Sequence, residues 1–420
     1  MIALEVVKHK WWGILSGIVA FMLFTSFSAQ RNTISIFEEV YSCIEYDKNL
    51  ISKGTDQYLF SFFNRLDHFV KSRKGKINIV HIGDSHIQAD YLTAEARTLF
   101  QQTFGNGGRG FVFPFRMANT NNPINYSVTF GGKWNNCKAI QSIEGCNMGL
   151  NGLMIMTRDS NAFMNIDSDR IGNTDYSFTK IKMFYQTDES SFLPVFTNNR
   201  DPKFYFDEQP KRNGYSEFFF NKPQDTLNMK LIKAFPGQNF FQFYGVSLEN
   251  DNPGLLYHAV GLNGAFTKSY NRCNMFTSQL QALEPDLVIV SLGTNDNFVS
   301  ESRYCRFCIK DNLRTMLDNI RTAKPGVSIL LVSPGDFFLN NGSHNSNNDS
   351  YRTVLYELAE EYNCSIWDFN QVMGGNYSMK SWAKQGLGRT DFVHFTKKGY
   401  EVQGQLLYRA IMDAYEKRFN

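Results

Sequence analysis

A strand-to-helix turn with a serine at its centre constrains the fold of this chain more than any other stretch. The residues of Ile77–Ile82 are mostly branched and apolar, a pattern typical of a buried strand. Beyond them, Leu92 and Phe100 belong to an apolar set with helical spacing. The residues Gly83–His86 therefore form a turn between a strand and a helix. The free N–H groups of a helix start can stabilise an anion there, which favours Ser85 as a nucleophile.

Two later motifs could complete such a site. The sequence Ser-Leu-Gly-Thr-Asn-Asp at 291–296 closes a second apolar run, and Asp391-Phe-Val-His394 lies near the end of the chain. A lone Gly-Asp-Ser is a common turn. Three blocks in this order, each at a strand end or in a loop, resemble the SGNH/GDSL hydrolase family.

The resemblance implies a serine esterase that needs neither a metal nor a cofactor. Its triad would be Ser85 as nucleophile, His394 as base and Asp391 as the residue that orients the histidine. The oxyanion hole would be formed by the N–H groups of Ser85 and Gly264 and the side-chain amide of Asn295. Gly261 is the second choice for the glycine.

Strands alternate with helices after residue 250, which predicts a parallel sheet with helices on both faces. The predicted strands here are Leu255–Val260, Leu287–Leu292, Val327–Val332 and Cys364–Asp368, with helices at about 301–322 and 350–362. The family implies a flavodoxin-like three-layer α/β/α core. Between about 126 and 250, short aromatic and β-branched runs, among them Lys203–Phe206, alternate with turn residues. They predict an inserted β-sandwich-like domain that either binds carbohydrate or serves as a lid without a ligand.

The chain is therefore expected to contain five segments. The start of the chain resembles an export signal, because Lys8 and Lys10 precede the apolar stretch Trp11–Phe24. An uncleaved membrane anchor is the alternative, and either one places the protein in the periplasm or cell envelope. The segments are a signal peptide at 1–29, a helical segment at 30–75, hydrolase core at 76–129, the β-rich insertion at 130–250 and hydrolase core at 251–420.

The substrate follows from a narrower resemblance. Gly-Asp-Ser-His with Gln-Ala-Asp90, the glycine-rich loop Phe104–Phe111 and Gly-Leu-Asn-Gly-Ala at 261–265 resemble bacterial peptidoglycan O-acetylesterases. That branch implies O-acetyl esters on cell-wall glycan or a related polysaccharide. The alternatives are a lipase or thioesterase with the same triad, and a non-catalytic glycan-binding protein on the same fold.

Two further residues could bind substrate, namely His86 beside the serine and Arg109 in the glycine-rich loop. We expect His81 and His258 to lie in the core and His344 to be solvated. The net charge of +3 and the absence of Lys/Arg blocks argue against a nucleic acid partner. A membrane contact is expected only through an uncleaved N-terminal segment, and the oligomeric state is not predicted.

The seven cysteines fit an exported chain that forms disulfides. Cys137 and Cys146 are close enough in sequence to close a loop. Cys305 and Cys308 have CxxC spacing without a second pair or a histidine cluster, so a disulfide or plain buried thiols are favoured over zinc or redox chemistry. An odd count leaves at least one thiol unpaired within the chain.

Overall fold

A computed structural model describes residues 40–52, 54–141, 145–168, 174–197, 205–206 and 214–419. The predicted signal peptide, the first part of the predicted N-terminal helical segment and part of the predicted strand at 203–206 lie outside these residues. Residues 42–420 form one compact unit. Within the described ranges, no helix is both long enough and apolar enough to cross a membrane.

The strands follow the predicted change in character along the chain. They are β1 (Ile51–Ser52), β2 (Lys76–Gly83), β3 (Gly110–Val112), β4 (Ser127–Gly131), β5 (Asn135–Lys138), β6 (Leu153–Thr157), β7 (Phe163–Asp167), β8 (Phe178–Tyr185), β9 (Leu193–Phe196), β10 (Tyr205–Phe206), β11 (Tyr215–Gln224), β12 (Thr226–Ile232), β13 (Phe241–Glu249), β14 (Gly254–Gly261), β15 (Leu287–Ser291), β16 (Ser328–Val332) and β17 (Ser365–Trp367).

The α-helices lie before β2, after β2, between the later strands and after β17. They are α1 (Thr55–Tyr58), α2 (Phe60–Ser72), α3 (Ser85–Gln88), α4 (Tyr91–Phe104), α5 (Thr267–Tyr270), α6 (Phe276–Ala282), α7 (Thr294–Asn297), α8 (Arg306–Ala323), α9 (Asn347–Tyr362), α10 (Phe369–Val372), α11 (Ser378–Lys384) and α12 (Lys397–Glu416).

One sheet has the order β1-β17-β16-β15-β2-β14 and is parallel except for β1. Without β1, its strands taken in chain order are arranged 2-1-3-4-5, the flavodoxin-like order. The predicted fold class is therefore confirmed. The register places Gly83 of β2 opposite Gly261 of β14 and Ser291 of β15. The turns that follow these three strands consequently share one edge of the sheet.

Helices cover both faces of this sheet. Val80, Ile82 and Val290, at alternate positions, join a buried cluster that includes Leu317 of α8 and Leu355 of α9. On the opposite face, α2 packs against β2 and β16, and α12 packs against α4. Alternation along buried strands thus produces the predicted three layers.

The β-rich region forms two antiparallel sheets. One has the order β10-β11-β8-β13-β6-β5 with β3 paired to β13, and the other has the order β4-β7-β12-β9. Met164 and Met229 from the second sheet and Phe184 and Phe243 from the first belong to the same buried cluster that reaches α8. The additional β-rich architecture agrees with the predicted fold class, whereas the predicted domain boundaries stay a prediction.

Four cysteines form disulfides, Cys137 with Cys146 and Cys305 with Cys308. The remaining thiols within the described residues are Cys43, Cys273 and Cys364, all buried. Both pairs therefore match the sequence-based expectation, and the unpaired cysteines are inaccessible.

Candidate active site

The Ser85 turn is held rigidly between strand and helix. β2 ends at Gly83, and α3 begins at Ser85 with Asp84 as its N-cap. The N–H of His86 donates to Asp84 Oδ1 over 3.0 Å, the usual contact of an N-cap carboxylate. A Cβ at Gly83 would come within 2.8 Å of the Ser291 carbonyl oxygen, so only glycine allows this strand spacing.

Asp84 is a structural rather than a reacting group, as the sequence indicated. Its side chain is buried, and this loss of solvation raises the pKa to about 7, with the charge of Asp296 adding to the increase. Asp296 is buried as well, and its pKa is raised to about 6, chiefly by desolvation. Asp296 accepts hydrogen bonds from the N–H and the hydroxyl of Thr267 at 3.0 and 2.8 Å. The two acids therefore brace the turns that follow β2 and β15.

The turn between Asp391 and His394 presents both side chains on one side. Asp391 Oδ1 accepts the N–H groups of Val393 and His394, each over 2.9 Å. Burial is the largest single effect and raises the pKa of Asp391, but these two bonds and the adjacent His394 side chain together outweigh it, so the pKa is lowered. Phe392 between them has a φ of 53°, in the left-handed region that non-glycine residues rarely adopt. The turn is thus short enough to leave Asp391 Oδ2 free for the imidazole.

Ser85, His394 and Asp391 are brought together in hydrogen-bonding order. The His394 Nδ1–H donates to Asp391 Oδ2 over 3.0 Å, and the Ser85 hydroxyl lies 3.2 Å from His394 Nε2. An ionised carboxylate can only accept, so it fixes the proton on Nδ1 and leaves Nε2 as the acceptor for the serine proton. Such an arrangement can activate a serine for attack on an ester.

Two backbone donors lie free at the same sheet edge. Among the residues that the structure describes, none accepts a hydrogen bond from the N–H of Ser85 or of Gly264. Gly264 has a φ of 75° and open space where a Cβ would stand. Gly261 is different, because a Cβ there would meet the Gln88 nitrogen at 2.1 Å. Its role is close packing of α3 on β14, which favours Gly264 as the donor.

The side-chain amide of Asn295 lies in the same region but already donates hydrogen bonds within the protein. Its Nδ2 donates to the Ala265 carbonyl over 2.9 Å and reaches Asp84 Oδ2 at 3.4 Å. The contact with Asp84 is long and therefore weak. The amide N–H that faces Asp84 could therefore bind a developing oxyanion at the cost of only this weak hydrogen bond.

His86 lies between the imidazole of His394 and the hydroxyl of Tyr400. Its Nδ1 lies 2.9 Å from the Tyr400 hydroxyl, and its ring centroid lies 5.3 Å from that of His394. Burial lowers the pKa of His86 to about 3, and the neighbouring His394 adds to this effect. A neutral ring at this place can support His394 without repelling it. Its predicted contact with substrate stays a prediction.

Arg109 lies in a buried ion cluster instead of at the mouth of the site. Its guanidinium is bonded to Asp90 and donates to Asn125 Oδ1 over 3.0 Å. Arg97 pairs with the same Asp90 at 2.8 Å. The glycine-rich loop is therefore anchored to α4 by charge, and a contact between Arg109 and substrate stays a prediction.

The structure confirms the predicted burial of two further histidines and corrects the predicted exposure of a third. His81 is buried as predicted, 2.8 Å from the Tyr257 hydroxyl and 2.7 Å from Ser291 Oγ. His258 is buried as well and accepts the N–H of Phe111 over 3.1 Å. His344 was expected to be solvated, which is wrong. Its Nε2 lies 2.8 Å from the buried Asp336, a partner that local sequence patterns could not reveal.

Sequence reasoning also missed Tyr400 behind His86 and Tyr377 near the Asp391–His394 turn. Tyr400 lies in the first turn of α12, and the local sequence does not indicate what its hydroxyl would meet. Among the described residues, no group of three or more His, Cys, Asp or Glu side chains is arranged to hold a metal.

Comparison with known families gives the hydrolase assignment. Residues 235–402 match the model of the GDSL-like lipase/acylhydrolase family. The match includes Asn295, Asp391 and His394, while Ser85 lies before it and is joined to it by the fold. The predicted family and the predicted class, a carboxylic ester hydrolase, are confirmed.

Solved structures confirm the architecture. A peptidoglycan O-acetylesterase structure superposes with a TM-score of 0.70 at 21% identity, covering 85% of this chain and 96% of that one. At this identity the likeness shows the fold alone.

Two further structures match only a part of the chain. A lipase/acylhydrolase from Enterococcus faecalis gives a TM-score of 0.31 at 20% identity, covering 38% of this chain and 77% of its own. A carbohydrate esterase family 3 protein from Talaromyces cellulolyticus gives 0.29 at 20% identity, covering 39% and 73%. Scores this low carry no argument. No curated protein matches the chain.

Proposed function

We propose that this protein is an exported serine esterase that hydrolyses O-acetyl esters on cell-wall glycan through Ser85, His394 and Asp391. The observation that carries the proposal is the hydrogen-bonded chain from the Ser85 hydroxyl through the His394 imidazole to Asp391. The free N–H groups of Ser85 and Gly264 beside it supply the second requirement of ester hydrolysis, donors for an oxyanion.

The reaction would proceed in two steps. His394 Nε2 takes the proton of the Ser85 hydroxyl as Oγ attacks the acetyl carbonyl carbon, and the oxyanion is stabilised by the N–H groups of Ser85 and Gly264. His394 then gives that proton to the departing sugar oxygen, leaving an acetyl group on Ser85. In the second step, water loses a proton to His394 and attacks this ester, which releases acetate and restores the serine.

The choice of glycan rests on two weaker supports. The superposition on a peptidoglycan O-acetylesterase covers 85% of this chain, which is more than the hydrolase core alone, and the short motifs around Ser85 resemble that branch. The disulfides Cys137–Cys146 and Cys305–Cys308 agree with an oxidising compartment outside the cytoplasm. Export would place the enzyme in the cell envelope, where this glycan is found.

Acetate release from O-acetylated peptidoglycan tests the proposal. The wild-type protein should release acetate from this polymer and hydrolyse p-nitrophenyl acetate, and Ser85→Ala should lower both rates by about 10⁴-fold or more. Ser302→Ala, which changes an exposed serine away from the turn, is the matched control and should keep both activities. Base-treated peptidoglycan, which has lost its acetyl groups, should yield no acetate.

Each result has a distinct meaning. Hydrolysis of the small ester alone would retain the triad and remove peptidoglycan as the substrate. A folded wild-type protein inactive on both substrates would contradict the esterase proposal.

A further inference from the structure

An aromatic cluster lies next to the Asp391–His394 turn. The rings of Tyr377 and His344 are stacked, with centroids 4.2 Å apart and an angle of 26° between their planes. Phe338 meets both rings edge-on, at 6.2 Å from Tyr377 and 5.6 Å from His344. We call Phe338, His344 and Tyr377 the Tyr377 platform.

A buried carboxylate, that of Asp336, contacts the histidine of the platform. Asp336 is 1% exposed, and its Oδ1 lies 2.8 Å from His344 Nε2. Its Oδ2 accepts the N–H of Met379 over 2.9 Å. Asp336 thus fixes the histidine on which the Tyr377 ring rests. One face of the tyrosine is held in place, while the side chain as a whole remains 61% exposed.

The backbone at Tyr377 is strained although the residue is at the surface. Its φ of 69° and ψ of 4° lie in the left-handed region, which is unfavourable for a non-glycine residue. Core packing does not account for this cost, because the ring is exposed. Strain of this kind is retained where a side chain must be presented in a given direction.

The platform is connected directly to the proposed catalytic turn. The N–H of Phe338 donates to the Phe392 carbonyl over 3.0 Å, and the two rings lie 5.8 Å apart. Phe392 directly follows Asp391 in the sequence, and its backbone has a left-handed conformation with a φ of 53°. A ligand resting on Tyr377 would therefore lie next to the turn that carries His394.

A cation accompanies the platform. Lys380 Nζ lies 4.6 Å from the Phe338 ring centroid, and the residue is exposed at the surface of α11. An aromatic face beside an exposed ammonium suits a sugar ring that carries a carboxylate, because the aromatic ring contacts the apolar C–H face of the sugar and the cation meets the acid.

We propose that the Tyr377 platform is a binding subsite for an acidic sugar unit of the glycan whose acetyl ester lies at Ser85. This inference rests on the proposed function for its choice of ligand. Tyr377 supplies the stacking surface and Lys380 the counter-charge. His344 and Asp336 are positioning residues that hold the tyrosine.

Steady-state kinetics on soluble O-acetylated peptidoglycan fragments test the subsite, with p-nitrophenyl acetate as a substrate too small to reach it. Tyr377→Ala should raise KM for the fragments about 5- to 20-fold with kcat within about twofold, the pattern of lost substrate binding. The loss of kcat/KM on the fragments should exceed that on the small ester at least about fivefold. Tyr377→Phe keeps the ring and should restore most of the affinity.

Phe307→Ala is the matched control, since Phe307 is a highly exposed aromatic residue at the start of α8. It should leave KM for the fragments unchanged. Lys380→Ala should raise KM for fragments with free carboxylates and have less effect on fragments whose carboxylates have been amidated. If Tyr377→Ala does not fold, Tyr377→Leu removes the aromatic face with a similar volume.

The outcomes separate this inference from the proposed function. An active wild type whose KM for the fragments is the same in Tyr377→Ala and Tyr377→Leu overturns the subsite and leaves the esterase intact. If the wild type releases no acetate, calorimetric titration of the Ser85→Ala protein with the same fragments decides the subsite alone. Binding that Tyr377→Leu abolishes supports it, and the absence of binding overturns it.

Discussion

The two halves of the candidate site are built in opposite ways. The Ser85 half is a turn between a buried strand and a helix, and its Asp84 is almost fully enclosed. The half with Asp391 and His394 lies on a surface turn, where these side chains are 45% and 38% exposed. In the first half, the register of the sheet fixes the position of Ser85. In the second half, hydrogen bonds within the turn and contacts with the Tyr377 platform fix the positions of Asp391 and His394.

This difference shows what each half can tolerate. A residue at the end of a central parallel strand has little freedom, so the proposed nucleophile Ser85 is held in position by the fold itself. A surface turn must be held by specific contacts, here the Asp391 Oδ1 bonds and the Phe338–Phe392 contact. We therefore expect substitutions in the two halves to have different signatures.

After the loss of Ser85 itself, the largest effect is expected at the half-exposed carboxylate of Asp391. Asp391→Asn would remove the group that fixes the proton on His394 Nδ1, and kcat for p-nitrophenyl acetate should fall about 10²- to 10⁴-fold. The effect should lie below that of Ser85→Ala because water can partly replace a half-exposed carboxylate. A loss smaller than about threefold would show that this turn does not orient the base.

A smaller loss is expected at the oxyanion donors. Asn295→Ala should lower kcat about 10²- to 10³-fold with little change in KM, since the amide would act mainly in the transition state. Asn295→Asp keeps the shape but removes the donor, and it should be no better than alanine. An Asn295→Ala enzyme with wild-type kcat would leave only the two backbone donors in the oxyanion hole.

The smallest effect concerns stability, and its sign should differ between the halves. The native state keeps a proton on Asp84 up to about pH 7, whereas an unfolded chain loses it near pH 3.9. The unfolding free energy contributed by this group therefore falls as pH rises between these values. Asp84→Asn should flatten that decline in urea unfolding followed from pH 4 to pH 7.

Asp391→Asn is the matched control for this measurement. The pKa of Asp391 is lowered in the folded protein, so its contribution to stability is present above the unfolded pKa and disappears as the solution becomes more acidic. The effect should be small, because the carboxylate is half exposed. Equal pH slopes in the Asp84→Asn variant and the wild type would contradict the burial of an uncharged Asp84.

Much of the core could be read from the chain. The predicted strand Ile77–Ile82 is observed as Lys76–Gly83, and Leu287–Leu292 as Leu287–Ser291. The helix predicted at 350–362 begins at Asn347. Buried parallel strands are unbroken apolar runs, so local composition is sufficient to find them. The polar residues that follow each run were sufficient to place the motifs at strand ends.

The polar loops were harder to interpret. His344 lies in a stretch rich in asparagine and serine, where a solvated side chain is the ordinary expectation. Asp336 is eight residues away and becomes its partner because the loop between them folds back on itself, with an antiparallel bridge between Phe338 and His344. Arg109 was considered as a substrate contact, which stays a prediction, and the structure places its guanidinium in a buried cluster where it shares Asp90 with Arg97. Neither partnership leaves a periodic signal.

The sequence by itself determined the alternation of strands and helices, the Ser85 turn and the order of the three motifs, because these depend on neighbours along the chain. The tertiary structure alone decided that His394 meets a serine 309 residues earlier in the chain. It also decided that Gly264 has a free N–H and that Tyr377 is held beside the site. Each of these depends on strand order and on contacts between distant segments, which only the packed sheet brings together.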